Sequence, residues 1–351
     1  MNPPTHQHCR VPDLVYILAA SHSGSTLLAM LLGAHPQAVT VGELSPSNIG
    51  DLAQYRCSCH ARFLECAFWQ RVAGALAAHG ADFALDDFHT RYQAVSGPLA
   101  QRLLRPLHRG PLLETLRDAA LSLCPSWRAA YPRLRDNNRA LIDVLREISG
   151  RSVVIDSSKS AVRLKFLLRI PDLDIKVVRL IRDGRGVALA CVDPERFADA
   201  ADPGLRGRRS AERRSLAVAA HEWRRSNDEA ECLLARLDRR RWIDVRYERL
   251  CSDPEAVLHD VFSFLGLDPA RRVRDFRTAE HHVLGNGMRL DTTSDIRLDE
   301  RWRTELTRED LAVFERIAGK LNRAYGYVSS TTAAQNERRV RLRPQLATQH
   351  L

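Results

Sequence analysis

Six consecutive residues near the start of the chain, Ser21-His22-Ser23-Gly24-Ser25-Thr26, are of the kind that grips an anion. Gly24 has no side chain to keep a phosphate off the backbone, and Ser23, Ser25 and Thr26 offer hydroxyl donors. A strand leading into such a loop and a helix leading out would aim backbone N–H groups and the positive end of the helix at the ligand. The spacing Ala19-x-x-x-x-Gly24-Ser25-Thr26 imitates a nucleotide phosphate loop with two departures. Ala19 stands for its first glycine, and Ser25 for the lysine that reaches the β- and γ-phosphates. Taken by itself, the stretch reads equally well as a tight turn that opens a helix.

Further along, Asp156-Ser157-Ser158-Lys159 closes an apolar run, and Arg182 stands just ahead of Gly184 and Gly186, where its guanidinium could fork a phosphate. Asp156 alone would suit the magnesium site of a P-loop kinase using ATP-Mg. The missing loop lysine and the presence of Lys159 three residues on count against that chemistry. Glu43 follows a short strand pattern and reads either as a base or as a capping or ion-pairing carboxylate. Cys57, Cys59, His60 and Cys66 offer three sulfurs and an imidazole to zinc, with a single residue between the first two. A disulfide or free thiols account for the same cysteines.

The elements that must position these residues follow from periodicity. Residues 14–20 form a short apolar run suited to a strand buried on both faces, and residues 27–32 a helix ending near Gly33 and His35-Pro36. Short strands are expected at 39–41, 152–156, 175–181 and 242–247, with a crossover helix at 161–169 between two of them. That βαβ unit implies a parallel sheet and an α/β fold of P-loop type flanked by helices. From about 66 to 150 the pattern is helical, interrupted at Gly97-Pro98, Gly110-Pro111 and Tyr131-Pro132, and reads as a helical insertion. Helices are also expected at about 210–237, 254–265 and 308–325, with a polar loop at 271–299. Trp223 and Asn227 lie one helical turn apart, with Trp223 read as core packing.

Three blocks, in order, carry a resemblance to a known family: Ser21 to Leu28 with His35-Pro36 and Gly42-Glu43; Val178 to Ala188; and Val245-Arg246-Tyr247-Glu248-Arg249-Leu250 with Asp253-Pro254-Glu255 and Phe264-Leu265-Gly266-Leu267. Together they resemble the sulfotransferases that use PAPS (3'-phosphoadenosine-5'-phosphosulfate), in particular the bacterial and the carbohydrate- or tyrosine-directed branches. The resemblance implies transfer of a sulfonate group to a hydroxyl or amine, with PAPS as co-substrate, PAP as product and no metal required. It places His22, Ser23, Gly24, Ser25 and Thr26 on the 5'-phosphosulfate and Arg182 on the 3'-phosphate. Tyr247 is placed at the adenine, and the loop carrying Asn286 and Arg289 over the 3'-phosphate. Glu43 becomes the general base and Lys159 the stabiliser of the transferring sulfonyl group.

Two positions depart from the family pattern. His22 replaces a lysine or arginine, and Ala190, beside Cys191, replaces a serine. The cation at the bridging oxygen must then come from Lys159, Arg182 or a protonated His22. In the last case donor binding or turnover would weaken as pH rises past about 6.5. A catalytically weak nucleotide-binding protein of the same fold is the reading these departures keep open.

Composition agrees with one large domain. The 351 residues are 44% hydrophobic and carry a net charge of +10, nearly all of the basic side being arginine, because the only lysines are Lys159, Lys165, Lys176 and Lys320. Arginine suits phosphate and sulfate oxygens. The spread of charge and the 6% aromatic content give no nucleic-acid platform. No apolar stretch reaches the length of a membrane span, and the start shows no signal peptide. Eight cysteines in so long a chain imply reduced thiols and a cytoplasmic protein. Residues 1–12 are expected to be a flexible N-terminus, 13–328 the sulfotransferase domain with the insertion receiving the acceptor, and 329–351 a disordered tail. The acceptor is a small molecule, carbohydrate or peptide.

Overall fold

The structure, a computed structural model, describes residues 11–46, 51–105, 110–197 and 213–328. The expected flexible N-terminus and disordered tail fall largely or wholly outside these residues. A five-stranded, all-parallel sheet forms the centre, in the order β2-β3-β1-β4-β5. Its strands are β1 (Leu14–Ala19), β2 (Ala38–Thr40), β3 (Val153–Lys159), β4 (Ile175–Ile181) and β5 (Trp242–Arg246). Parallel strands need crossovers, and helices supply them. The first is α1 (Ser25–Gly33), and α2 (Ala67–Ala78), α3 (Pro98–Leu103), α4 (Pro111–Leu123) and α5 (Pro125–Ser149) lie between β2 and β3. Next come α6 (Ala161–Leu167) before β4, and α7 (Gly184–Val192), α8 (Pro194–Phe197) and α9 (Leu216–Leu234) before β5. The chain closes with α10 (Tyr247–Ser252), α11 (Pro254–Leu265), α12 (Trp302–Glu305) and α13 (Arg308–Ala324). The α/β architecture and the strand positions read from the sequence are those observed.

Side-chain alternation splits the core across the sheet. From β1, Leu14, Tyr16 and Leu18 enter the core shared with α2, α5 and α6, while Val15 and Ile17 enter the one shared with α1 and α11. A third core joins α7, α9 and α13 around Trp223 and Phe314. Trp223 is buried as expected, and its Nε1 donates to the Arg182 carbonyl at 3.2 Å.

The insertion differs from its sequence pattern in two places. Tyr131-Pro132 does not end a helix, because α5 runs through Pro132. An interior proline costs about 3 kcal/mol; here the flanking turn is fixed by Trp127 stacked on Tyr131 at 4.9 Å and by Phe166 against both. Residues 79–91 are irregular rather than helical. Asn137 and Asn138 on α5 take over their backbone groups, Asn137 exchanging bonds with Asp82 and Asn138 donating to the Thr90 carbonyl at 3.0 Å. Among the described residues no helix is long and apolar enough to cross a membrane.

Candidate functional site

Ligands of an open parallel sheet bind beyond the carboxyl ends of its strands. All five strand ends here deliver residues to one cleft of about 1420 Å³. β1 leads to Ser21, His22 and Gly24, β2 to Glu43, β3 to Lys159, β4 to Arg182 and β5 to Tyr247.

At the β1–α1 turn, Gly24 caps the helix in the left-handed region, with φ at 89°. A Cβ there would lie 2.7 Å from the Tyr247 ring, so the glycine is required by packing as well as by backbone shape. The first N–H groups of α1 have no acceptor within the helix. Ser25 and Thr26 line the cleft, whereas Ser23 is buried (1% exposed) behind it, its hydroxyl an orphaned donor next to that helix end. These features fit an anionic oxygen.

Burial and neighbouring cations work against a charge on His22. Burial first, then the nearby cations Lys159 and Arg182, push its pKa down to about 4, which leaves the imidazole neutral around pH 7. Of the three cation sources named from the sequence, Lys159 and Arg182 therefore stand ahead of a protonated His22. Arg182 lies against the loop, its Nη1 donating to the His22 carbonyl at 2.8 Å and its Nη2 to Asp299 Oδ2 at 2.9 Å. Its guanidinium also covers the Tyr247 ring at 4.3 Å. Asp183, the other carboxylate within reach by sequence, pairs instead with Arg185. Tyr247, expected at an adenine, packs on Gly24 and Arg182 and accepts from the Asp299 N–H at 3.3 Å.

Lys159 reaches the cleft through an irregularity in β3. Tyr16 pairs with Asp156 but Leu18 pairs with Lys159, so β3 carries one extra residue and the lysine is re-aimed. Its backbone is left-handed, with φ at 69°, and its Nζ donates to Glu43 Oε1. Glu43 is presented by Gly42, whose φ of 79° and close approach to the Leu284 carbonyl (1.9 Å from where a Cβ would stand) exclude any side chain. The polar loop expected at 271–299 contributes this wall: Leu284 donates to the Val41 carbonyl at 2.8 Å, and Gly285, Asn286, Met288 and residues 295–301 line the cleft. Asn286 also caps its own turn, accepting from Met288 N at 3.0 Å. Arg289 is not brought to the cleft. It is 5% exposed and donates to the carbonyls of Gly285 and Arg56 at 2.7 Å each.

Several residues were not singled out by sequence. Arg163, 2% exposed, holds Asp156 (0% exposed) at 2.9 Å, and Asp156 also accepts from the N–H groups of Leu44 and Ser158. That saturated carboxylate is a structural hub beneath Glu43 and Lys159, not an open metal ligand. Asp299 is another: although burial works against it, bonds from Arg301 and Arg182 draw its carboxyl down to about 2. Burial pushes Glu229, on the far rim with Arg225, up to about 7. The Asp-x-x-x-x-x-x-Arg spacing across the β3–α6 turn was the available signal for Arg163; Asp299 and Glu229 had none. Ala190 is buried beside Cys191, which lines the cleft with Arg214.

Cys57, Cys59 and Cys66 lie together, but His60 is exposed and stands outside their group; His282 takes the fourth place. The described cysteines form no disulfide.

The sulfotransferase family model matches residues 12–271, three quarters of the chain. The chain belongs to the sulfotransferase family. No curated protein sequence matches it. Among solved structures it is similar to the sulfotransferase domain from the curacin biosynthetic pathway (20% identity, TM-score 0.45, covering 89% of this chain and 98% of that one). It is also similar to the sulfotransferase domain of the Synechococcus PCC 7002 olefin synthase (19%, 0.45, 90% and 98%) and to STF1 from Mycobacterium tuberculosis H37Rv (18%, 0.42, 89% and 79%). Sulfonate transfer is the family's reaction class, and the cleft at the strand ends is where this member presents the β1–α1 loop, Glu43 and Lys159.

Proposed function

We propose that this chain transfers a sulfonate group from PAPS to a hydroxyl or amine of a small-molecule, carbohydrate or peptide acceptor. The observation that carries the reading is the meeting of Glu43 Oε1 and Lys159 Nζ, from different strand ends, beside the anion loop. PAPS brings an activated sulfonyl group and a phosphate leaving group. The N–H groups opening α1 and the hydroxyls of Ser23, Ser25 and Thr26 bind its 5'-phosphosulfate. The Lys159 ammonium is the cation nearest the transferring group, with Arg182 holding the loop from behind and adding positive charge. Glu43 takes the proton of the acceptor as its oxygen or nitrogen bonds to sulfur and the sulfur–oxygen bond to the phosphate breaks, giving sulfated acceptor and PAP. An in-line approach needs the acceptor on the side of Glu43, where Arg91 and Gln93 of the insertion line the cleft. The insertion is therefore assigned to acceptor selection.

A kinase reading finds no support in Asp156, which Arg163 and two N–H groups occupy. Thermal-shift measurements with PAP, PAPS and ATP-Mg test the proposal, followed by labelled sulfonate transfer to an acceptor panel. Stabilisation by PAP with transfer supports it. Stabilisation by ATP-Mg alone overturns it, and PAP binding with no transfer to any acceptor leaves a nucleotide-binding protein of the same fold.

A further inference from the structure

Residues 55–66 form a tight hairpin that the sulfonate chemistry does not use. Phe63 N donates to the Tyr55 carbonyl at 2.8 Å, Cys57 N to the Ala61 carbonyl at 3.0 Å and His60 N to the Cys57 carbonyl at 2.9 Å. His60 turns the chain with φ at 66°. This knuckle overcomes the single-residue spacing of Cys57 and Cys59 by bringing both sulfurs to one side. Cys66, immediately before α2, adds a third, and His282 arrives from the segment that walls the cleft.

All four ligand atoms lie within 4.8 Å of one another. Cys59 Sγ is 3.6 Å from Cys66 Sγ, and His282 Nδ1 is 3.4 Å from Cys66 Sγ and 3.7 Å from Cys57 Sγ. A tetrahedral zinc with bonds of about 2.3 Å to sulfur and about 2.0 Å to nitrogen has edges of about 3.8 Å between sulfurs and about 3.5 Å from sulfur to nitrogen. These three separations lie within about 0.2 Å of those edges, the other pairs lie within 4.8 Å, and the Cys59–Cys66 distance is far from the about 2.05 Å of a disulfide. Backbone N–H groups of Cys59, Ala61 and Trp69 point at the sulfurs of Cys57, Cys59 and Cys66. The other ring nitrogen of His282 lies 3.1 Å from Glu280 Oε1, which places the proton on Nε2 and turns the Nδ1 lone pair to the sulfurs. A carboxylate behind a histidine is the usual support of a zinc ligand. Phe68 stacks on the imidazole at 4.3 Å and fixes its plane.

We propose that Cys57, Cys59, Cys66 and His282 bind one structural zinc ion. Four protein ligands leave no open position for water or substrate. The ion is a clamp that fastens residues 281–289 to the knuckle. The same junction is stitched by Ser58, which donates to the His281 carbonyl at 2.9 Å and accepts from Val283 N at 2.8 Å, and by Tyr55, whose hydroxyl accepts from Gly285 N at 2.8 Å. Through Leu284 and Gly285 the clamp sets the wall against which Glu43 rests.

Elemental analysis of the full chain, purified under reducing conditions without chelator, tests this independently of any transferase activity. The expected result is one zinc per chain, kept in His60→Ala and lost in His282→Ala and Cys59→Ser. Cobalt replacement is expected to give thiolate charge-transfer and tetrahedral d–d absorption. Should the ligand variants fail to fold, Glu280→Gln, a change at an exposed side chain, is expected to weaken zinc about 10–100-fold against a chromophoric chelator. Zinc at background level, iron in its place, a disulfide among the three cysteines by non-reducing mass mapping, or unchanged affinity in both Glu280→Gln and His282→Ala overturns the proposal.

Discussion

Along the wall of the cleft made by the strand ends, His22, Lys159, Arg182 and Tyr247 hold their places through the register of neighbouring parallel strands. On the wall made by residues 281–289, position depends on bonds to a segment more than 200 residues away, from Ser58, Tyr55 and the Arg56 carbonyl. The first wall is a consequence of sheet geometry. The second is a set of cross-links on an otherwise irregular chain. Substitutions in the first should therefore damage the fold or the donor site outright, and those in the second should misplace Glu43 while the sheet survives.

The largest expected effect lies where the walls meet. Glu43→Gln is expected to lower turnover by about 10²–10⁴-fold with PAP binding retained; near-normal turnover would remove Glu43 as base. Beneath it, Arg163→Ala strands the buried Asp156 carboxylate and is expected to cost about 3–5 kcal/mol in denaturant unfolding. A loss under about 1 kcal/mol would show that Asp156 is not the hub of this wall. On the sheet side, Gly24→Ala meets both the left-handed backbone and the Tyr247 ring, and is expected to abolish the PAP-induced rise in Tm. On the cross-linked side, Tyr55→Phe removes the hydroxyl bonded to Gly285 and is expected to cost about 1 kcal/mol. Its turnover should fall several-fold with PAP affinity unchanged, and a matching loss of PAP affinity would erase the distinction between the walls. The smallest effect is in pH. The unfolded chain protonates His22 near 6.5 and the folded one near 4, so stability is complete above about 6.5 and declines as pH falls through that window. His22→Gln is expected to flatten part of the Tm decline, and turnover should show no loss between pH 6 and 8 attributable to His22.

The same contrast explains what the sequence disclosed. β4, α11 and the β1–α1 loop were legible because local periodicity and turn chemistry decide them. The meeting of Glu43 with Lys159 was implied only by family resemblance, since a one-residue bulge in β3 leaves no mark in the residue pattern. His60, three residues from Cys57, is the imidazole the local sequence offers to the cysteines. His282 was missed because a contact across 216 residues carries no local signature. Arg289 misled for a related reason: a loop arginine looks available for a phosphate until the distant Arg56 carbonyl, together with the local Gly285 carbonyl, is seen to hold it.

His22 and Lys159 share one further property, a left-handed backbone at residues that carry a Cβ, with φ at 59° and 69°. Such conformations cost about 1–2 kcal/mol each, and glycine relieves them. Directed evolution for thermal resistance alone would thus favour Lys159→Gly or His22→Gly, and the first change would erase the ammonium that pairs with Glu43. Any stabilisation campaign on this scaffold should screen for turnover at every round, because at Lys159 robustness and the proposed chemistry pull in opposite directions.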